Sequence, residues 1–271
     1  MKPRGSEGPL PSTGANDDPG LQILSWNIAG AKTLLEHELS LEGWDAHDII
    51  LLQETWALTP LPIQGYVLHH KEATKSERSR RPTGGLAVYV AVRLAISSTQ
   101  VPTTESCLQI IKLELNEGGK SHFLLIFNVY AHPSKNVKEK VLTELIERIT
   151  EARSSDPRAG LIISGDFNLN LLYTPEDDEI LAMENEYWAI PPQHDLEALR
   201  KNRSAEKLVT SLEHQALRVV NGRLAGDIPP RFTFHSANRR LIIDFTLLSL
   251  PLMTSIRSFS IIPTADSDHP Q

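Results

Sequence analysis

The sequence predicts an α/β domain in which two β-sheets pack against each other with helices on the outside. Two observations carry that expectation. Past Gly20, short apolar runs rich in β-branched residues recur between polar loops. Amphipathic stretches of helical period stand between some of these runs. Spacing alone leaves a doubly wound α/β sheet as the rival arrangement.

Each element follows from its own pattern. Residues 21–28, 48–52 and 85–92 read as strands. Residues 108–115 alternate apolar with polar, as a half-buried strand does. Residues 123–130 and 161–164 are nearly unbroken apolar runs, as expected of central strands covered on both faces. A further run, 241–248, is interrupted by Asp244 and Thr246. The helix expected over 138–152 brings Val141, Leu142, Leu145 and Ile149 to one face. A second, over 205–217, repeats the device with Leu208, Leu212 and Leu217, and 32–41 is a weaker candidate. Residues 1–20 hold Pro, Gly, Ser and Asp but no apolar segment, so they read as a flexible tail and not a signal peptide. Residues 21–271 read as one domain, with no internal repeat.

Composition narrows the function classes. Of 271 residues, 40% are hydrophobic and 23% charged, which is enough to build a core and excludes a disordered or collagen-like chain. The single cysteine, Cys107, excludes an internal disulfide framework and a cysteine-rich zinc site. A net charge of −7 argues against a protein held to nucleic acid by bulk charge. It leaves room for a local basic rim around an acidic metal site. No run approaches the roughly 20 apolar residues that a membrane-spanning helix needs.

The informative residues are the polar ones at the ends of apolar runs. Asn27 follows Ser25-Trp26, Glu54 follows Leu51-Leu52-Gln53, Asp166 and Asn168 follow Ile162-Ile163-Ser164-Gly165, Asp244 follows Ile242-Ile243, and Asp268-His269 closes the chain. A carboxylate at a buried strand is costly unless it is paired, hydrogen-bonded or bound to metal. Taken singly, each has a plain structural account: a loop glutamate, a turn, a backbone-satisfied aspartate, a terminal histidine. Together they suggest one shared polar pocket. Oxygen ligands without thiolates suit Mg²⁺ or Mn²⁺. Such an ion polarises a phosphoryl oxygen, a carboxylate can activate water, and an imidazolium can donate to the developing charge. These residue types fit phosphodiester hydrolysis.

The ordered series Trp26-Asn27-Ile28, Leu52-Gln53-Glu54-Thr55, Asn128-Val129-Tyr130, Gly165-Asp166-Phe167-Asn168, Ile243-Asp244-Phe245 and Ser267-Asp268-His269 resembles the endonuclease/exonuclease/phosphatase superfamily. Within it, Val219-Val220-Asn221-Gly222-Arg223, Gly226-Asp227, Phe232-Thr233-Phe234 and Gly84-Gly85-Leu86-Ala87-Val88 resemble the AP-endonuclease-like endonuclease domains of non-LTR retrotransposons. The resemblance implies a four-layer, deoxyribonuclease-I-like α/β sandwich of two packed mixed sheets flanked by helices. It implies that Asn27 and Glu54 position a Mg²⁺ or Mn²⁺ ion, with Asp268 supporting it. Asp166 would activate water, Asn168 and Tyr130 would hold phosphate, and Asp244 would orient His269 for transition-state stabilisation. Gly165 is expected at a tight turn exposing Asp166. Two departures stand out. Ala29 replaces an acid common in AP endonucleases, removing one possible metal ligand. After Tyr130, Ala131-His132-Pro133-Ser134 replaces a Pro-Asn pair, and His132 either supplies that contact or caps the loop. Family members usually continue into a closing strand after the final Asp-His, so the domain is expected to lack its last strand.

Lys71, Lys75, Arg78, Arg80 and Arg81 are expected on an exposed loop, with Arg239-Arg240 a second basic cluster. Both are candidates for contacts to DNA phosphates, which position without reading sequence. The leading expectation is therefore a Mg-dependent DNA endonuclease, acting intracellularly in the nucleus as a monomer. The implied partners are DNA and a reverse transcriptase encoded elsewhere. The rivals are an inositol or lipid phosphatase of the same superfamily and a catalytically decayed nucleic-acid-binding module.

Overall fold

In the computed structural model, the described residues are 20–30, 44–75, 81–94, 96–117, 120–169, 208, 210–212, 214–224, 226–227, 231–236 and 239–262. They form two β-sheets, a small hairpin, two α-helices with assigned bounds and a one-turn 3-10 helix over Val92–Leu94. The strands are β1 (Ile23–Asn27), β2 (Ile49–Gln53), β3 (Tyr66–Lys71), β4 (Leu86–Ala91), β5 (Ser97–Val101), β6 (Leu108–Glu117), β7 (Lys120–Tyr130), β8 (Gly160–Asp166), β9 (Leu217–Val219), β10 (Phe234–Ser236), β11 (Arg239–Leu241) and β12 (Asp244–Ser249). The helices are α1 (Lys135–Ser155) and the short α2 (Leu250–Met253).

The first sheet has the order β1-β2-β4-β3, with β1 and β2 parallel and the other pairs antiparallel. The second has the order β5-β6-β7-β8-β12-β9, parallel only between β7 and β8. Two mixed sheets, not one doubly wound sheet, settle the choice that spacing left open.

The reason lies in β2. Its residues are all buried, yet they point two ways. Ile49 and Leu51 join Val88, Val90, Ile111, Leu113, Ile126 and Ile162 between the sheets. Ile50 and Leu52 join Leu24, Trp26, Ile28, Tyr89 and Trp44 on the outer face. A strand covered on both faces needs an unbroken apolar run, and 49–52 is one. On the far side, α1 lays Val141, Leu142, Leu145, Ile149 and Ala152 over β6, β7 and β8. Burying one such side chain stabilises by about 1.5–3 kcal/mol, so this face accounts for α1 docking.

Polar residues also join the layers. The Gln53 Nε2 donates to Asn128 Oδ1 at 2.7 Å, across the sheet interface. The Asn128 Nδ2 donates to the carbonyls of Leu52 and Ala87 at 3.0 and 3.2 Å. On the outer side, Glu144 of α1 accepts the backbone N–H groups of Thr104 and Glu105, both at 2.7 Å.

Several local expectations change. The 241–248 run is two strands, because Thr233 Oγ1 accepts the N–H groups of Ile243 and Asp244 and breaks the ladder between β11 and β12. Leu217 opens β9 instead of ending the helix, whose described positions are 208, 210–212 and 214. Strands β3, β5 and β10 are too polar to have been read from pattern. Lys71 is not a loop residue. It ends β3, and its Nζ donates to Thr103 Oγ1 and to the carbonyls of Glu105 and Leu108. The tail over 1–19 and the helix over 32–41 lie outside the described residues. Among the described residues, no helix is long and apolar enough to cross a membrane.

Candidate active site

Strand direction brings the polar residues to one end. β1 and β2 run parallel and pair Asn27 with Gln53, so Asn27 and Glu54 leave the first sheet side by side. β7 and β8 run parallel and pair Tyr130 with Asp166. β12 runs opposite to β8 and pairs its first residue, Asp244, with Asp166. Two strands from one sheet and three from the other thus deliver Asn27, Glu54, Tyr130, Asp166 and Asp244 to a common edge.

The side chains meet across the sheets. The Asn27 Nδ2 donates to Glu54 Oε1 at 3.1 Å and to Asp166 Oδ2 at 3.0 Å. One amide therefore ties a carboxylate of the first sheet to one of the second. Asn27 and Asp166 are each 1% exposed, so this bridge lies at the buried floor of the site. The Asn27 Oδ1 is engaged by the N–H of Ala29 at 3.1 Å. Asn168 grips Asp166 twice, from its backbone N–H to Oδ1 at 2.8 Å and from Nδ2 to Oδ2 at 2.9 Å. The Asn168 amide thus acts first on Asp166. Glu54 also accepts the Trp56 indole Nε1–H at 3.1 Å. Tyr130 lies beside these carboxylates: burial first, then the negative charges of Glu54 and Asp166, push its pKa far above that of an ordinary phenol.

The backbone here is unusual. Ala29, Glu54, Trp56 and Asn168 have φ of 47°, 51°, 50° and 47°, left-handed values that cost energy for residues other than glycine. Such strain persists only where surroundings over-determine it. At Glu54 they do so. The N–H groups of Thr55 and Trp56 donate to the carbonyls of Gly85 and Gly84 at 3.1 and 2.9 Å, pinning the turn to the glycine pair before β4. Gly165 is not at a turn. It lies within β8 at φ 140°, where a Cβ would overlap the carbonyl oxygen of Val129, and the Asp166 beyond it is buried, not exposed.

Lys138, on the first turn of α1, is a site neighbour that sequence reasoning missed. Its Nζ donates to the Asn168 carbonyl at 2.6 Å. Burial lowers its pKa while the charge of Asp166 opposes that shift. Its proximity depends on α1 folding back over β8, which no local pattern reports. Asn221 and Thr233 are a second omission. Asn221 brackets β12 through the Asp244 carbonyl and the Thr246 N–H, and Thr233 holds the Asp244 N–H. The buried Asp227 accepts N–H bonds from Gly222 and Arg231, with burial raising its pKa. Asn221 and Thr233 therefore fix the backbone at Asp244, and Asp227 ties Gly222 to Arg231.

His132 Nδ1 accepts the N–H of Ser134 at 3.0 Å, which is the loop-cap arrangement. Arg81 has its guanidinium 3.5 Å from the Trp56 ring centroid, beside the site. Arg239 and Arg240 stand in β11, opposite Ser236 and His235. Arg78, Arg80, Asp268 and His269 lie outside the described residues.

A divalent cation fits the donors present. Glu54 offers a hard carboxylate whose hydrogen-bond donors, Asn27 and Trp56, are neutral N–H groups. Mg²⁺ is commonly held by one or two carboxylates and several waters. Among the described residues, no group of three or more His, Cys, Asp and Glu is placed to hold a metal, as a zinc or calcium cage would require.

The sequence model of the Endonuclease/Exonuclease/phosphatase family matches residues 24–269. No curated protein sequence matches significantly. Among solved structures, an AP endonuclease of Leishmania major aligns with a TM-score of 0.65 and 15% identity, covering 92% of this chain and 85% of its own. The catalytic domain of Xenopus laevis APE2 aligns at 0.62 and 19%, covering 92% and 90%. The 3'-5' exonuclease NExo of Neisseria meningitidis aligns at 0.61 and 17%, covering 92% and 97%. These likenesses show a shared α/β sandwich.

Proposed function

The chain belongs to the endonuclease/exonuclease/phosphatase family, and from that premise we propose that it is a Mg²⁺-dependent DNA endonuclease of retrotransposon type. The observation that carries this reading is the Asn27 amide, which joins Glu54 and Asp166 from opposite sheets at 3.1 and 3.0 Å. A nuclear site of action follows from a DNA substrate.

Glu54, Asn27 and Asp268 would hold the ion, and a bound Mg²⁺ would polarise a phosphoryl oxygen and offset its developing charge. Asp166, held in one orientation by three N–H groups, orients the attacking water and accepts its proton. The water oxygen would bond to phosphorus as the P–O3' bond breaks, giving a 5'-phosphate, and the departing O3' would take a proton from solvent water to become a 3'-hydroxyl. Tyr130, kept neutral, would donate to the phosphate, and Asn168 would hold a phosphate oxygen. His269, oriented by Asp244, would donate to the transition-state oxygens. Arg78, Arg80, Arg81, Arg239 and Arg240 are the proposed phosphate contacts along the rim.

Plasmid nicking tests the reading. With Mg²⁺ present, the wild-type chain should relax supercoiled plasmid and leave inositol polyphosphates intact. Glu54→Ala and His269→Ala should each nick about 100-fold or more slowly. Neutralising Arg78 and Arg80 should flatten the dependence of DNA binding on salt. Nicking by both site variants at the wild-type rate refutes the assignment, and turnover of inositol polyphosphates in place of plasmid transfers it to the phosphatases.

A further inference from the structure

Resting on the metal-site reading above, we propose that Trp56 is a positioning residue that sets the orientation of the Glu54 carboxylate, and that Arg81 clamps Trp56 in place. Three contacts converge on the indole. Its Nε1–H donates to Glu54 Oε2 at 3.1 Å. Its six-membered ring lies so close to Gly30 that a Cβ there would overlap Cε3 and Cζ3, and Gly30 has φ 120°. The Arg81 guanidinium stands 3.5 Å from the ring centroid. The backbone beneath is committed to this arrangement: Glu54 and Trp56 both take left-handed φ, and the Trp56 N–H is tied to the Gly84 carbonyl at 2.9 Å.

A partly buried tryptophan favours a partner for its N–H, and any acceptor would serve that need. Here the acceptor is the carboxylate proposed as the principal metal ligand. Asn27 holds Oε1 and Trp56 holds Oε2, so the two donors together leave that group one orientation. Removing a residue that orients a metal ligand in this way typically costs about 10- to 100-fold in metal affinity. A cation over the ring face withdraws electron density and strengthens the in-plane N–H as a donor. Arg81 also ends the basic run 71–81, so it links the proposed DNA-contacting rim to the metal carboxylate.

Calorimetric titration of the full chain with MnCl₂ tests the clamp. Trp56→Phe keeps a ring but removes the donor. It should raise the Mn²⁺ dissociation constant about 10- to 100-fold, the usual effect of losing an outer partner of a ligand. Arg81→Gln should raise it about two- to fivefold, as expected for an exposed cation–π contact. Glu54→Gln should abolish binding. Wild-type affinity in Trp56→Phe, with binding lost in Glu54→Gln, overturns the clamp and leaves the metal site standing; a lowered melting temperature alone then describes a purely structural tryptophan. Wild-type affinity in Glu54→Gln overturns the metal site itself. Should Trp56→Phe fail to fold, wild-type affinity in Arg81→Gln overturns the clamp.

Discussion

Replacing Asn27 with aspartate changes one amide for a carboxylate of the same shape and removes the donor that joins the sheets. Two hydrogen bonds disappear, at 3.1 Å to Glu54 and 3.0 Å to Asp166. Bonds to charged groups contribute about 1.5–3 kcal/mol each. The Asp166 bond is fully buried and takes the upper part of that range, while the half-exposed Glu54 takes the lower. Asn27→Asp should therefore cost about 3–5 kcal/mol near neutral pH, a large share of a domain's net stability. The penalty carries a pH signature. The carboxyl introduced at position 27, buried and beside two like charges, has its pKa raised above the ordinary aspartate value of about 3.9. The folded variant then binds more protons than its unfolded chain, so its stability falls as pH rises above about 4 and recovers on acidification. Urea unfolding followed by tryptophan fluorescence, without divalent metal, at neutral pH and near pH 5, measures both effects. A loss below about 1 kcal/mol at neutral pH would refute the bridge as a structural tie.

Other outcomes follow from the same geometry. Gly165→Ala should destabilise by about 3 kcal/mol or more, from a left-handed φ and overlap with the Val129 carbonyl; a melting temperature within a degree or two of wild type would contradict this. Glu144→Ala leaves the N–H groups of Thr104 and Glu105 without their acceptor and should cost about 2–6 kcal/mol in urea unfolding. Burial raises the Glu144 pKa, but those N–H bonds lower it further, to a net value below 4.5; its contribution is present above that value and is lost as pH falls through the folded one, so the wild-type and variant curves should converge in acid. Burial raises Tyr89 to about 12 and raises Tyr66 and Tyr130 as well, so these phenols should ionise in an absorbance titration only as the fold opens. Their contribution is complete below the ordinary phenol value of 10.0 and fades above it, and ionisation of all the tyrosines near that value with the fold intact would contradict their burial.

Much of this protein could be read in one dimension. An unbroken apolar run such as 49–52 identifies a strand covered on both sides, and a polar residue just past such a run announces an expensive group that needs a partner. Asn27, Glu54, Asp166 and Asp244 were legible for that reason. The partners were not, because hydrogen bonds between residues 27 and 166 depend on the pairing of strands and the stacking of sheets. The tie between Gln53 and Asn128, the approach of Lys138 to Asn168, and the stack of Arg81 on Trp56 above Gly30 are of the same kind. Gly165 shows the difference within one residue: its sequence suggested a turn, whereas a neighbouring strand's carbonyl is what excludes a side chain there. Residue type determines which groups cannot remain unpaired in a buried place. The tertiary packing alone decides which distant atom satisfies each of them, since hydrogen bonds and steric overlap act over a few ångströms of space regardless of separation along the chain.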